Sequence, residues 1–440
     1  MRLRLLRHPL PGVFEAGEVF AALHGVGDAF WLDSGPGGRA FLGAGERVEL
    51  PRGRVLATLR RELEERRAVA PLGGVPLGLV GWFGYELRGE TTGLPVPRRG
   101  RHPDAAFLRV DRLVAVEGDG SAALLALGTA WEGELAAWRD RTARALAAPT
   151  PSRPRPPAPP TAPRWRDAPE RYLANIAACQ QAIRNGEAYQ LCLTTEVRVE
   201  GAFDAHAVFE AVRASGSTHH SGLVRIGDTT LVSASPERFL EVDADGVVRT
   251  SPIKGTRPRD ADPARDAALR DELVASEKER AENLMIVDLM RNDLARVCET
   301  GTVAVTRLLE VESYPHVHQL VSTIEGRLRA DAGAIDAVAA CFPAGSMTGA
   351  PKLRAIEVLD TLELRPRGPY AGAFGYLAAD GAADLAMTIR TVVLDPEGAA
   401  IGTGGGITSG SLPDAELAEA RLKAAALLAA LGAGASDTLN

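Results

Sequence analysis

FLEVDADGVVRT, residues 239–250, decides the fold class: two short strand-like runs flank Asp245-Gly246, a dipeptide suited to the turn of a β-hairpin. Upstream, AYQLCLTTEV (188–197) sets Tyr189, Leu191 and Leu193 against Gln190, Cys192 and Thr194, the period of a half-buried strand. Between Asp167 and Asn185-Gly186, apolar Tyr172, Ile176, Cys179 and Ile183 recur at helical spacing, with Asp167 and Glu170 placed as N-cap and N3 of a capping box. Hairpins interspersed with long helices, and no internal repeat, indicate an α+β protein with large antiparallel sheets.

The hairpin runs on into TSPIKGTRPR (250–259), where Pro252 and Pro258 bracket Lys254 in a predicted turn. A lysine restrained there is either a solvated loop cation or a group held over a substrate.

The 440 residues carry 50 basic against 57 acidic side chains, net −7, with no long basic run, which argues against nucleic acid or an anionic membrane as partner. Four scattered cysteines fit neither a disulfide framework nor a CxxC metal site. The start MRLRLLRHPLPG forms no signal core, and no 18-residue apolar run occurs, so the expected location is the cytoplasm. PTPSRPRPPAPPTAP (149–163), eight of fifteen residues proline, reads as an extended spacer. The expected division is an N-terminal α/β subdomain over 1–148, a linker over 149–164 and a catalytic domain over 165–440.

Two carboxylate pairs stand out. In ASEKERAENLMIVDLMRNDLARV, Glu279 and Glu282 precede a helix whose stripe includes Ile286 and Met290; in LPDAELAEARLKAAALLAAL, Pro413 opens a helix bearing Glu416, Glu419 and Lys423. Singly, each pair reads as a solvated helix face. Brought together, they make an oxygen-rich seat for Mg²⁺. IGTGGGITSGS (401–411) lacks both the Walker and the dinucleotide pattern, and is expected to be a turn offering backbone N–H groups to a carboxylate. GSMTGAPK (345–352) reads as a loop feeding a helix, with Ser346 and Thr348 as donors, and MTIRT places Arg390 on an apolar strand as a carboxylate fork.

In order, SPIKGT, AENLMIVDLMRND, VHQLVST, GSMTGAPK, AMTIRT and GTGGGI resemble the chorismate-utilising enzymes, strongly over residues 165–440 and more loosely before them through FWLDSG and GWFGYE. The resemblance implies the anthranilate synthase component I-like fold, large antiparallel sheets forming a sandwich with helices packed outside. Within that family, lysine at 254 and AEN at 281–283 match the aminodeoxychorismate synthase component I branch. This implies amination of chorismate at C4 to 4-amino-4-deoxychorismate, toward p-aminobenzoate and folate; anthranilate synthase component I is the alternative. Gln190 stands where the water-adding relatives carry a lysine base.

Carried over by resemblance, Lys254 is the nucleophile at C2 and has to be uncharged to attack, while Glu237 is the acid for the leaving hydroxyl. Glu282 and Glu419 are Mg²⁺ ligands, with Glu279 and Glu416 as the second carboxylates. Tyr370, Arg390 and Lys423 meet substrate carboxylates, and Gly404 and Gly406 supply backbone donors. His318 is a weaker candidate, because Gln319 occupies the place where many relatives have histidine. No glutaminase segment is visible, so ammonia is expected from a separate glutamine amidotransferase subunit.

Overall fold

A computed structural model describes residues 3–35, 37–148, 161–216, 218–314 and 317–433. Most of the predicted linker, residues 149–160, lies outside the described residues.

The hairpin forms as expected: Arg238–Val242 pairs antiparallel with Val247–Ser251, and Gly246 takes φ 80°. Its turn is anchored by Asp243, whose Oδ1 accepts the N–H groups of Asp245 and Val247. The hairpin belongs to a sheet of ten strands, ordered Ile253–Pro258, Val317–Arg327, Val247–Ser251, Arg238–Val242, Ala383–Met387, Ala373–Ala378, Gly78–Phe83, Ala105–Val110 and Glu46–Arg47, with Ala304–Ser313 also on Val317–Arg327. A twelve-stranded sheet runs from Arg4–Leu10 through Ala29–Asp33, His220–Ile226, Thr391–Asp395, Gly398–Ile407 and Gln190–Val199 to Gly349–Ala350.

Phe30, Trp82, Leu108, Val224, Phe374 and Val393, drawn from both sheets, form the layer between them. Helices cover the outer faces: Val55–Glu65, Glu277–Ala295 and Ala334–Cys341 pack on one side, Ala16–His24, Ala205–Gly216 and Pro413–Ala430 on the other. This is a sandwich with external helices.

Both sheets cross the proline-rich boundary. Ala29–Asp33 pairs with His220–Ile226, and Gly78–Phe83 pairs with Ala373–Ala378, so the first third of the chain shares its sheets with the remainder.

Four local expectations are corrected. The helix Pro169–Arg184 begins with Ala168 as its N-cap and Pro169 in its first turn, while Asp167 instead accepts the Thr195 hydroxyl at 2.7 Å. Gln190–Val199 is buried on both faces, not one, because it sits inside the large sheet with helices against it, and Tyr189 lies exposed just outside the strand. Ile253–Pro258 is an edge strand rather than a turn, a position that tolerates Pro258. The glycine-rich stretch is a buried strand, Gly398–Ile407, rather than an open turn.

Candidate active site

Lys254 gets its position from the residue beside it. Gly255 takes φ 89°, and a Cβ there would fall 2.7 Å from Leu273 Cδ1 and 3.1 Å from the Glu279 stem. Only glycine lets the edge strand press this closely on the helices Pro263–Ala275 and Glu277–Ala295. The second of these is fixed to the sheet by Asn283, fully buried, which accepts the Ser322 hydroxyl at 2.6 Å and donates to the Leu320 carbonyl at 3.4 Å. Asp293 farther along it takes Lys352 at 2.6 Å, so the RND and APK motifs meet in a structural ion pair.

Glu237 lies just before the strand Arg238–Val242 and is 7% exposed. Its Oε1 accepts the Ser346 hydroxyl at 2.8 Å. Burial pushes its carboxyl up to about 7, against the pull of the Ser346 hydrogen bond and of the charges on Lys254 and Lys423. The Lys254 ammonium also acts on Glu282, Glu419 and Cys192, which puts lysine, acid and both glutamate helices within mutual electrostatic reach.

The glutamates differ in setting. Glu282 and Glu416 are buried, whereas Glu419 is half exposed and Glu279 intermediate. Burial is the largest influence on Glu282 and lifts its carboxyl above the usual range. For Glu419 burial also works upward, but Lys423, Lys278 and Lys254 together hold it below that range. Lys278 bridges the helices, its Nζ 3.4 Å from Glu416 Oε1 and 3.9 Å from Glu282 Oε1. Among the described residues no three His, Cys, Asp or Glu side chains form a ready metal cage. The convergent donors are carboxylate oxygens, which fit a hard cation that completes its shell with water and ligand oxygens.

The strand Gly398–Ile407 packs closely on its neighbours because its glycines carry no side chains. A Cβ at Gly402 would meet the Tyr370 ring at 2.1 Å, and one at Gly406 would meet Gln190 Nε2 at 2.0 Å. Gln190 is 1% exposed, and its Oε1 has no hydrogen-bond partner among the described residues. Gly404 lies opposite Thr194, and its carbonyl accepts Lys423 Nζ at 2.9 Å; the same ammonium pairs with Glu419 at 2.7 Å.

Three predicted residues sit differently. Thr348 turns its hydroxyl onto the Ala344 and Gly345 carbonyls, closing its own loop. Arg390 lies in the link between Ala383–Met387 and Thr391–Asp395 at φ 49°, not on a strand, and donates to the Lys423 carbonyl at 3.0 Å. His318 is 2% exposed and held between Ser313 at 2.8 Å and Asp266 at 3.0 Å.

Sequence reading missed Arg367 and Glu363. This fully buried pair makes two hydrogen bonds of 2.9 and 2.7 Å, and the guanidinium also holds the carbonyls of Met347 at 2.6 Å and Cys192 at 2.9 Å. It thereby clamps the Ser346 loop to the strand bearing Gln190. The spacing of four residues was visible, but nothing in it distinguishes a buried pair from a surface one.

The profile of the chorismate binding enzymes matches residues 27–429. The chain is 44% identical over 417 residues to an aminodeoxychorismate synthase of Streptomyces pristinaespiralis, and 39% identical over 468 residues to one of Streptomyces griseus. These alignments cover 90% and 97% of this chain but 57% and 64% of those proteins, so the chain spans under two thirds of their length. Anthranilate synthase component I from Streptococcus pneumoniae TIGR4 superposes with a TM-score of 0.75 at 26% identity, covering 97% of this chain and 92% of the other. With the profile spanning nearly the whole chain, and the fold and ordered motifs agreeing, the protein belongs to the chorismate-binding enzyme family.

Proposed function

We propose that the chain aminates chorismate at C4, as an aminodeoxychorismate synthase component I. The observation that carries this reading is Glu237, a buried carboxyl raised to about 7 that feels the charge of the Lys254 side chain. The two groups need opposite proton states: the acid must hold a proton to release, and the amine must have a free lone pair.

In the first half-reaction the Lys254 amine adds to ring carbon C2. Both ring double bonds shift, the C4–O bond breaks, and Glu237 passes its proton to the departing oxygen, releasing water. In the second, ammonia adds at C4 as the double bonds return and the C2–N bond to Lys254 breaks. Glu237 then recovers a proton from the new C4 ammonium. The sum is chorismate plus ammonia giving 4-amino-4-deoxychorismate plus water. Ser346 holds the acid in place, and Gln190 and Tyr370 would contact the substrate.

Glu279, Glu282, Glu416 and Glu419 would together hold Mg²⁺, directly or through water, which when bound neutralises a substrate carboxylate and favours departure of the hydroxyl. Ammonia comes from a glutamine amidotransferase partner. All four cysteines of this chain are buried, and burial pushes the thiols of Cys179 and Cys298 up to about 12 and about 11, unlike an activated glutaminase nucleophile.

Incubation with chorismate, Mg²⁺ and an ammonium salt tests the reading by product. The expected product keeps the enolpyruvyl group and gains an amine by mass; fluorescent anthranilate with free pyruvate would overturn it in favour of anthranilate synthase.

A further inference from the structure

Lys278 occupies a contested place. It projects from the first turn of Glu277–Ala295, and its Nζ lies 3.4 Å from Glu416 Oε1 and 3.9 Å from Glu282 Oε1. The two carboxylates are 4% and 8% exposed, whereas the lysine side chain is 52% exposed. The ammonium thus reaches in from the solvent side and balances two buried acids from helices far apart in sequence. Without a cation between them, those acids would repel across a poorly hydrated gap. A dication held by Glu282 and Glu416 would compete with Lys278 for the same two carboxylates, and two cations so close would repel.

We propose that Lys278 is a displaceable internal counter-ion that sets the metal affinity of this site. The inference rests on the reading that Glu282 and Glu416 hold the dication. While the ammonium bridges the acids it keeps the two helices together, and a bound dication takes over that role and releases the lysine into water. The exchange costs little at the lysine end, because its stem is flexible and its head is already half solvated. The site then favours the dication only where metal, or metal with an anionic substrate, is abundant enough to win the competition.

Calorimetric titration of the full chain with Mg²⁺ alone tests this in the wild type, Lys278→Met, Lys278→Gln and Glu282→Gln. The expected result is about tenfold tighter Mg²⁺ binding in both Lys278 variants, the scale of two partly exposed ion pairs, and loss of binding in Glu282→Gln. In chelator, Lys278→Met should also melt below the wild type, and Mg²⁺ should close that gap. Binding that is unchanged or weaker in both Lys278 variants, with Glu282→Gln still defective, would overturn the counter-ion role alone. Absence of Mg²⁺ binding in all four proteins would overturn it together with the metal reading beneath it.

Discussion

At the scale of single residues, the account turns on Glu237. A carboxyl raised to about 7 stays protonated in the folded chain over a range where the unfolded chain has lost its proton. The folded state therefore binds more protons than the unfolded state from the ordinary glutamate range up to about pH 7, and stability falls as pH rises through that window. Glu237→Gln keeps an oxygen for the Ser346 hydroxyl and removes the charge. Urea denaturation should find the variant more stable than the wild type at pH 8, by a few kcal/mol as an order of magnitude, and nearly equal at pH 5. A variant less stable at both pH values would show that Glu237 is ionised in the folded state without cost. The same proton appears in turnover: at fixed free ammonia, kcat/KM should decline on the alkaline side with an apparent pKa near 7, and the Gln variant should lose most activity across the profile.

At the scale of elements, glycines decide where backbones may touch. Gly255 combines φ 89° with contact against Leu273 and Glu279, and the helix bearing Leu273 buries that one residue among its thirteen. Gly255→Ala should cost about 1–3 kcal/mol in chemical denaturation and, by pushing the edge strand off the helix, lower kcat more than it raises KM. Retained stability and turnover would mean that Lys254 is positioned by something other than this contact. The same residues show what sequence could and could not reveal. Alternation and Asp-Gly chemistry made the hairpin at 239–250 legible, because those signals are local. The glycine-rich strand Gly398–Ile407 misled, because glycine signals a turn unless a partner element crowds the chain. Here Tyr370, Gln190 and the Leu193–Thr194 backbone do the crowding, from elsewhere in the sequence. His318 carried the same ambiguity until Ser313 and Asp266 were found to claim both ring nitrogens.

At the scale of the whole molecule, the site exists only when both sheets are assembled. Lys254 comes from the edge of the ten-stranded sheet and Gln190 and Gly404 from the twelve-stranded one, where the Arg367–Glu363 pair fastens the Ser346 loop to the Cys192 backbone. Family motifs made the candidate residues nameable from sequence; how they sit together was not, since it depends on pairings between strands far apart in sequence, such as Gln190–Val199 with Gly398–Ile407. The buried clamp was equally hidden, because burial is a property of the finished sandwich. The central claim is that this assembly delivers the amine of residue 254 to a ring carbon while Glu237 supplies the proton. The most direct measurement is turnover of Lys254→Ala with chorismate, Mg²⁺ and ammonium, alongside chorismate affinity. The account predicts that 4-amino-4-deoxychorismate formation falls by about a thousandfold or more while chorismate binding stays within several-fold of the wild type; turnover close to the wild type would contradict it.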